Sequence, residues 1–507
     1  MNMKQAKEYI KNSVHLYLKK DEFGEYRIPL VRQRPLFLLG APGIGKTAVM
    51  EQIAWELGIA LVSYSMTHHT RQSALGLPVI KQKEYGGETY DVSEYTMSEI
   101  IASIYDVMEE SGIKEGILFL DEINCVSETL SPSMLQFLQY KVFGRHKVPE
   151  GWVIVTAGNP PEYNKSVREF DVVTLDRLKI LEVEADYGTW KEYAMERGIH
   201  NAIISFLDIK KEYFYHMETT VKGRTYVTAR GWEDLSQMLL LYEEEGLSVD
   251  ETFVEQYIRN ERIVKEFTAY YDLYNKYKKD YQIDEILSGA ISEKAMERAA
   301  AAAFDERLSL LGMLLDKVLG RMKENVETSD YLKELSGTLK AAGALLDGEE
   351  KEGKDALAEF LEKQMEARGK LLKSMEKANS LSQPDRRKHF RIQQFLTAIK
   401  KEIYTGEAVT GKQAYERVKE TFNRKVLEMK AESLKIQNML HWLFVFAEKT
   451  FGEGNEMLIL VTELTVNTYS ARFIGMFGSE EYHKYNRQMM LSERQTDLKK
   501  EIAALEL

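Results

Sequence analysis

The sequence predicts an α/β fold built on a parallel sheet and continued by a long, all-helical region. An apolar run, Pro35-Leu36-Phe37-Leu38-Leu39, leads directly into Gly40-Ala41-Pro42-Gly43-Ile44-Gly45-Lys46-Thr47. A second apolar run, Gly116-Ile117-Leu118-Phe119-Leu120, ends in Asp121-Glu122. From about residue 290 to residue 507 strand signals are almost missing, and apolar residues recur at helical spacing.

The first run is a strand, a glycine-rich turn and a helix start, the order that the phosphate-binding pattern G-x-x-x-x-G-K-T requires. Glycines let consecutive backbone N–H groups curl around phosphates without a Cβ in the way. The residues expected to bind a nucleoside triphosphate are therefore Gly40, Ala41, Pro42, Gly43, Ile44, Gly45, Lys46, Thr47 and Ala48. Lys46 reaches the β- and γ-phosphates, and the Thr47 hydroxyl ligates Mg²⁺. Val49, Ile53 and Leu57 share one face of the following helix, and Gly58 ends it. A nucleoside triphosphate and Mg²⁺ are the ligands this segment implies; the resemblance given below makes the nucleotide ATP.

The second run has the continuous apolar character of a strand buried on both faces, whose carboxyl end faces the ligand crevice of an open α/β sheet. Asp121 is the second metal-site residue beside Thr47, and Glu122 is placed to polarise the attacking water. A third strand, Trp152-Val153-Ile154-Val155-Thr156-Ala157, ends at Gly158-Asn159, so Asn159 can orient water against the γ-phosphate. Arg177 precedes the strand-like Lys179-Ile180-Leu181-Glu182-Val183, and Arg230 opens a later helix. Taken singly, an arginine is usually a surface ion-pair partner, so the order of these motifs matters more than either residue.

That order, with the runs Leu135-Gln136-Phe137-Leu138-Gln139, Ala157-Gly158-Asn159-Pro160-Pro161, Leu175-Asp176-Arg177 and Thr228-Ala229-Arg230-Gly231-Trp232, resembles the MoxR-type AAA+ ATPases over residues 34–284. The resemblance implies Asn159 as sensor 1, Arg177 as an arginine finger reaching a neighbouring subunit, and Arg230 as sensor 2. Leu178 and Ala229 stand where the family usually has Phe and Pro. It further implies a P-loop AAA+ core over 1–185, an α-helical lid over 186–289 and a helical partner- or client-binding region over 290–507. The catalytic residues are then Glu122, Asn159 and Arg177, in an ATPase assembled as a hexameric ring.

Two β-prone runs flank Gly86-Gly87 within residues 76–92, and residues 141–148 read as a second hairpin. By the resemblance, such hairpins project from the ring toward substrates or partners; a plain packing role is the alternative. His68 and His69 would face opposite sides of a strand, which argues against joint metal ligation. From Asp186 onward the pattern reads as helical throughout. Phe267, Tyr270, Tyr271, Tyr274, Tyr277 and Tyr281, interleaved with lysines, could stack on bases, but their three-and-four spacing favours a packed helix face. Residues 347–354 read as a loop or hinge, and Pro384 starts another helix.

The net charge of −12 argues against bulk attraction to nucleic acid. One cysteine, Cys125, rules out an intrachain disulfide framework and fits a reducing cytoplasm. No apolar stretch reaches membrane-spanning length, so no membrane insertion is expected. The chain also lacks the Asp-x-Ser-x-Ser adhesion motif, since Asp91-Val92-Ser93-Glu94-Tyr95 fails at its last position. A von Willebrand A partner, common among MoxR relatives, would therefore be a separate chain. The expectation is an ATPase that remodels, activates or chaperones a protein partner. The rivals are a DNA-associated motor or loader and a nucleotide-gated scaffold.

Overall fold

Strand β1, Leu36–Gly40, lies inside a five-stranded parallel sheet, flanked by β8 (Trp152–Gly158) and β9 (Lys179–Val183). Beyond β8 come β5 (Gly116–Asp121) and the edge strand β2 (Ala60–Ser65), giving the order β2-β5-β8-β1-β9. A computed structural model describes residues 1–489 except 69–71, 73, 75, 144, 165, 166, 169, 221, 222, 345–352 and 406–409. His69, most of the expected hinge at 347–354 and the tip of the second expected hairpin lie outside the described residues.

The apolar runs form central strands because both of their faces are covered. Phe37, Leu118, Leu120 and Ile154 point into one core, whereas Leu36, Leu38, Ile117, Phe119, Val153 and Val155 point into another. The second core is closed by the helices α1, Met3–Tyr17, and α2, Lys46–Leu57, through Ile10, Val14, Met50 and Ile53. The first is closed by the helices Glu99–Ser111 and Ser131–Tyr140, through Ile100, Ile104, Met134 and Phe137. Burial of this kind contributes about 25 cal/mol per Å² of apolar surface, so the two cores together fix the strand order. Gly58 ends α2 in the left-handed conformation, as its position predicts.

The chain divides into two compact units. The first contains residues 1–189 and, far away in sequence, residues 363–390. That insertion is the tip of a helical hairpin made by Gly353–Lys377 and Gln383–Thr405. Fully buried Ala378 joins the core beneath β2, and its carbonyl accepts the Leu61 N–H at 2.9 Å. Asn379 Nδ2 donates to the Leu61 carbonyl at 3.3 Å. An edge strand exposes unpaired backbone groups, and this turn covers part of that edge.

Both expected hairpins form. Strands β3 (Pro78–Tyr85) and β4 (Glu88–Tyr95) pair antiparallel across Gly86-Gly87, with Ile80, Tyr85 and Tyr90 exposed. Strands β6 (Val142–Phe143) and β7 (His146–Lys147) form a shorter pair, anchored where Phe143 stacks on Phe137 with ring centroids 3.9 Å apart. Glu94 on β4 pairs with Lys83 and with Arg145 in the second hairpin, which ties the two together.

The second unit comprises residues 190–362 and 391–507. One correction concerns its start: the pattern is not helical throughout, because β10 (His216–Thr220) pairs antiparallel with β11 (Gly223–Val227). The β-branched and aromatic residues Thr219, Thr220, Thr225, Tyr226 and Val227 carry that propensity. The tyrosine-rich helix Glu261–Tyr281 is a packed face: Phe267, Tyr271, Tyr274 and Tyr281 are buried, and Phe267 meets Phe206 edge-on at 5.3 Å. It presents no open row of rings for base stacking. Tyr281, Ile286, Leu310, Leu314 and Leu443 share one core, so helices before and after residue 290 pack as a single body. Within it, Lys191 holds Asp208 at 2.9 Å and Glu463 at 2.5 Å. No described helix is long and apolar enough to cross a membrane.

Lys141, at the start of the β6–β7 hairpin, is buried, and its Nζ donates to the Leu138 carbonyl. Burial pushes its ammonium down to about 7 from the ordinary 10.5. Between those two values the folded chain binds fewer protons than the unfolded chain, so this group makes stability rise with pH across that window. Denaturant midpoints measured from pH 7 to pH ~9.5 should climb more steeply in wild type than in Lys141→Met. Identical slopes would mean that Lys141 stays charged in the fold.

Candidate nucleotide site

Three strand ends build the site. β1, β8 and β5 are parallel, so their carboxyl ends meet on one edge of the sheet, where Gly40, Asn159 and Asp121 emerge. Gly43 and Gly45 take positive φ values of 74° and 94°, a conformation that bulkier residues adopt only with strain. Gly45 is also the N-cap of α2, and without a side chain it leaves the first-turn N–H groups of that helix facing outward. Such groups, with the helix dipole behind them, form an anion site.

Lys46 is buried, and its Nζ donates to the carbonyls of Gly40 (2.8 Å) and Ala41 (2.9 Å) and to Asn159 Oδ1 (2.8 Å). The Thr47 hydroxyl donates to Asp121 Oδ2 at 3.1 Å. The phosphate loop is thus in direct contact with the ends of both β8 and β5. Thr47 and Asp121 bring a hydroxyl and a carboxylate together, the hard-oxygen donors that suit Mg²⁺. No cluster of three or more His, Cys, Asp or Glu residues able to hold a metal occurs among the described residues.

Glu122 faces the other way. Its backbone is left-handed at φ 55°, and its Oε2 accepts from Ser65 Oγ at 2.9 Å and from Thr67 Oγ1 at 3.2 Å. Ser65 ends β2, which pairs with β5 on the side away from β8 and β1. Asp121 therefore turns toward the phosphate loop while its neighbour Glu122 turns toward the sheet edge. A non-glycine residue in this region costs of order 1–3 kcal/mol, a strain found chiefly where function requires it.

Asn124, three residues after Asp121, is buried and donates from Nδ2 to the Asn159 carbonyl at 2.8 Å. It packs so closely on Gly158 that a Cβ there would lie 2.5 Å from Asn124 Oδ1. This contact sets the position of Asn159, which in turn meets Lys46. Neither Asn124 nor Ser65 and Thr67 carried a role in the sequence reading. Asn124 lay within the Asp121-Glu122-Ile123-Asn124 run and could have been singled out; the two hydroxyl residues had no motif to mark them.

Arg177 lies elsewhere. It is exposed, and it precedes Lys179, which pairs with Leu36 at the start of β1. The phosphate loop begins at the opposite end of β1, about 13 Å away at the usual strand rise. Arg177 thus belongs to the amino edge of the sheet and is not gathered with Lys46, Thr47, Asp121 and Asn159. Arg230 belongs to the second unit, exposed in the first turn of the helix Ala229–Glu245, whose N-cap Thr228 accepts from Gly231 N.

Residues 36–174 match the family model described as ATPase family associated with various cellular activities (AAA). The chain therefore carries an AAA ATPase domain, which takes in β1, the phosphate loop, Asp121-Glu122 and Asn159. No curated protein sequence matches the chain.

If Ser65 and Thr67 hold the Glu122 carboxylate off the reaction centre, removing both hydroxyls should release it. Ser65→Ala/Thr67→Val is expected to raise basal ATP turnover by about threefold or more with ATP affinity unchanged, since a gating step contributes to the rate. Reduced turnover would instead make these hydroxyls part of the active arrangement.

Proposed function

We propose that this chain is a MoxR-type AAA+ ATPase that couples ATP binding and hydrolysis to remodelling or activating a protein partner, as a cytoplasmic hexameric ring. The observation that carries the reading is the paired contact of the phosphate loop with two strand ends, Lys46 to Asn159 and Thr47 to Asp121. A nucleotide triphosphate entering at α2 would meet the first-turn N–H groups, and Lys46 would exchange its bonds to the Gly40 and Ala41 carbonyls for phosphate oxygens. Asn159 stays beside the Lys46 ammonium and orients water. Glu122 accepts a proton from that water once it leaves Ser65 and Thr67. Mg²⁺ bound by Thr47 and Asp121 would neutralise charge on the phosphates.

Arg177 acts in this reading on a second copy of the chain, since its own phosphate loop lies at the far edge of the sheet. Beside it, Val172 and Val173 are 80% and 59% exposed, an apolar step suited to burial against a neighbouring subunit. Arg230 acts as sensor 2 from the lid. The β3–β4 hairpin, with Ile80, Tyr85 and Tyr90 exposed, contacts the client, and Arg145 holds it to the second hairpin through Glu94. The partner in this reading is a protein client or a von Willebrand A-domain protein, on a separate chain.

Three variants test this. Lys46→Ala should weaken ATP binding by at least about tenfold, because a charge-assisted contact to phosphate is lost. Glu122→Gln should bind ATP normally yet lose about 100-fold or more in turnover, the scale of a removed general base. Both are measured by fluorescent-nucleotide titration and phosphate release, with and without DNA; normal turnover of Glu122→Gln would remove it from the chemistry, and strong DNA stimulation would favour a nucleic-acid motor. Arg177→Ala should abolish turnover only in the assembled state, restored in part when mixed with Lys46→Ala chains that supply the missing guanidinium. No rescue at any mixing ratio would count against action between subunits.

A further inference from the structure

We propose that Asn379 and Ala378 are positioning residues for ATP hydrolysis: the turn they form braces β2, and β2 keeps Glu122 in its withdrawn position. The proposal deepens the ATPase reading above and rests on it. The turn engages one edge residue at both of its backbone groups. Leu61 N–H donates to the Ala378 carbonyl at 2.9 Å, and the Leu61 carbonyl accepts from Asn379 Nδ2 at 3.3 Å. Both contacts are made by a turn more than 300 positions from β2 in sequence. Local folding therefore does not bring them together.

The turn is itself firmly seated. Ala378 is fully buried, Ser380 is 2% exposed, and Asn379 adopts a left-handed φ of 51°, which aims its amide at the strand. Ser374 Oγ donates to the Ser111 carbonyl, Lys377 pairs with Glu110 at 3.2 Å, and Trp55 Nε1 donates to Asp385 at 2.5 Å. The brace thus spans the end of the helix Glu99–Ser111, the edge strand and α2, the helix that begins at the phosphate loop.

From Leu61 the strand runs to Ser65, which sits in register with Asp121. Leu61 and Ser65 lie four residues apart on the same strand, so a shift of β2 at Leu61 is carried along it to the hydroxyl that holds Glu122. Hydrogen bonds weaken steeply with length and angle, and the Thr67 contact at 3.2 Å is near the long end of the usual range. A small displacement of β2 is enough to free the carboxylate. The helices that present the turn continue in both directions into residues assigned to the second unit.

The test is a double-mutant cycle on the full chain. Asn379→Gly keeps the left-handed backbone accessible and removes only the amide; Ser374→Ala loosens the same turn elsewhere. Each should raise kcat for ATP by about twofold or more, leave ATP affinity within about twofold, and speed hydrogen exchange in residues 60–67. In the Ser65→Ala/Thr67→Val background both should have no further effect on kcat, because the contact they act through is already gone. Unchanged kcat in the two variants, or full and additive effects in both backgrounds, would overturn the brace. Failure of the underlying ATPase reading looks different: unsubstituted protein would then neither bind fluorescent ATP nor release phosphate.

Discussion

The Lys46 ammonium directs its N–H groups at the carbonyls of Gly40 and Ala41 and at the Asn159 side chain, all within 2.9 Å. That arrangement exists only because β8 lies directly beside β1 in a parallel sheet, bringing the end of one strand to the loop leaving the other. The same order sets β5 on the far side of β8, close enough for Asp121 to accept from Thr47. Two buried cores, one on each face, hold this order, and they depend on the strict alternation of side chains along β1, β5 and β8. Shifting any of these strands by one residue would exchange the two cores and disperse the site.

A second consequence of the order is the division of labour between adjacent carboxylates. Asp121 ends its strand facing the phosphate loop, whereas Glu122, forced into a left-handed backbone, turns to the edge strand. The two carboxylates, adjacent in sequence, are thus committed to different neighbours: Asp121 to Thr47 in the phosphate loop, and Glu122 to Ser65 and Thr67 at the end of the edge strand. The opposite edges of the sheet differ too: Lys46, Thr47, Asp121 and Asn159 gather at the carboxyl edge, whereas Arg177 sits at the amino edge.

The central strands and the phosphate loop were legible in the sequence because local pattern alone determines them. A continuous apolar run closed by a glycine turn or by Asp-Glu has few other folds available, and Gly116–Asp121, Trp152–Gly158 and Lys179–Val183 formed where the runs stood. The tyrosine ladder at Phe267–Tyr281 read correctly as a packed face for the same reason, its three-and-four spacing. The short β10–β11 hairpin escaped because five-residue strands in a helical neighbourhood leave little periodicity to detect. What the sequence could not reveal is contact between distant segments. Ser65 and Thr67 are ordinary hydroxyl residues until β2 lands beside β5, and nothing in the helical pattern around Ala378 marks it as the cover of a strand edge.

The central claim is that these strand ends form a nucleotide site, and calorimetric titration of the full chain with ATP, with and without Mg²⁺, tests it most directly. The account predicts one ATP bound per chain, at an affinity that falls when Mg²⁺ is withdrawn. Absence of ATP binding under both conditions would contradict it.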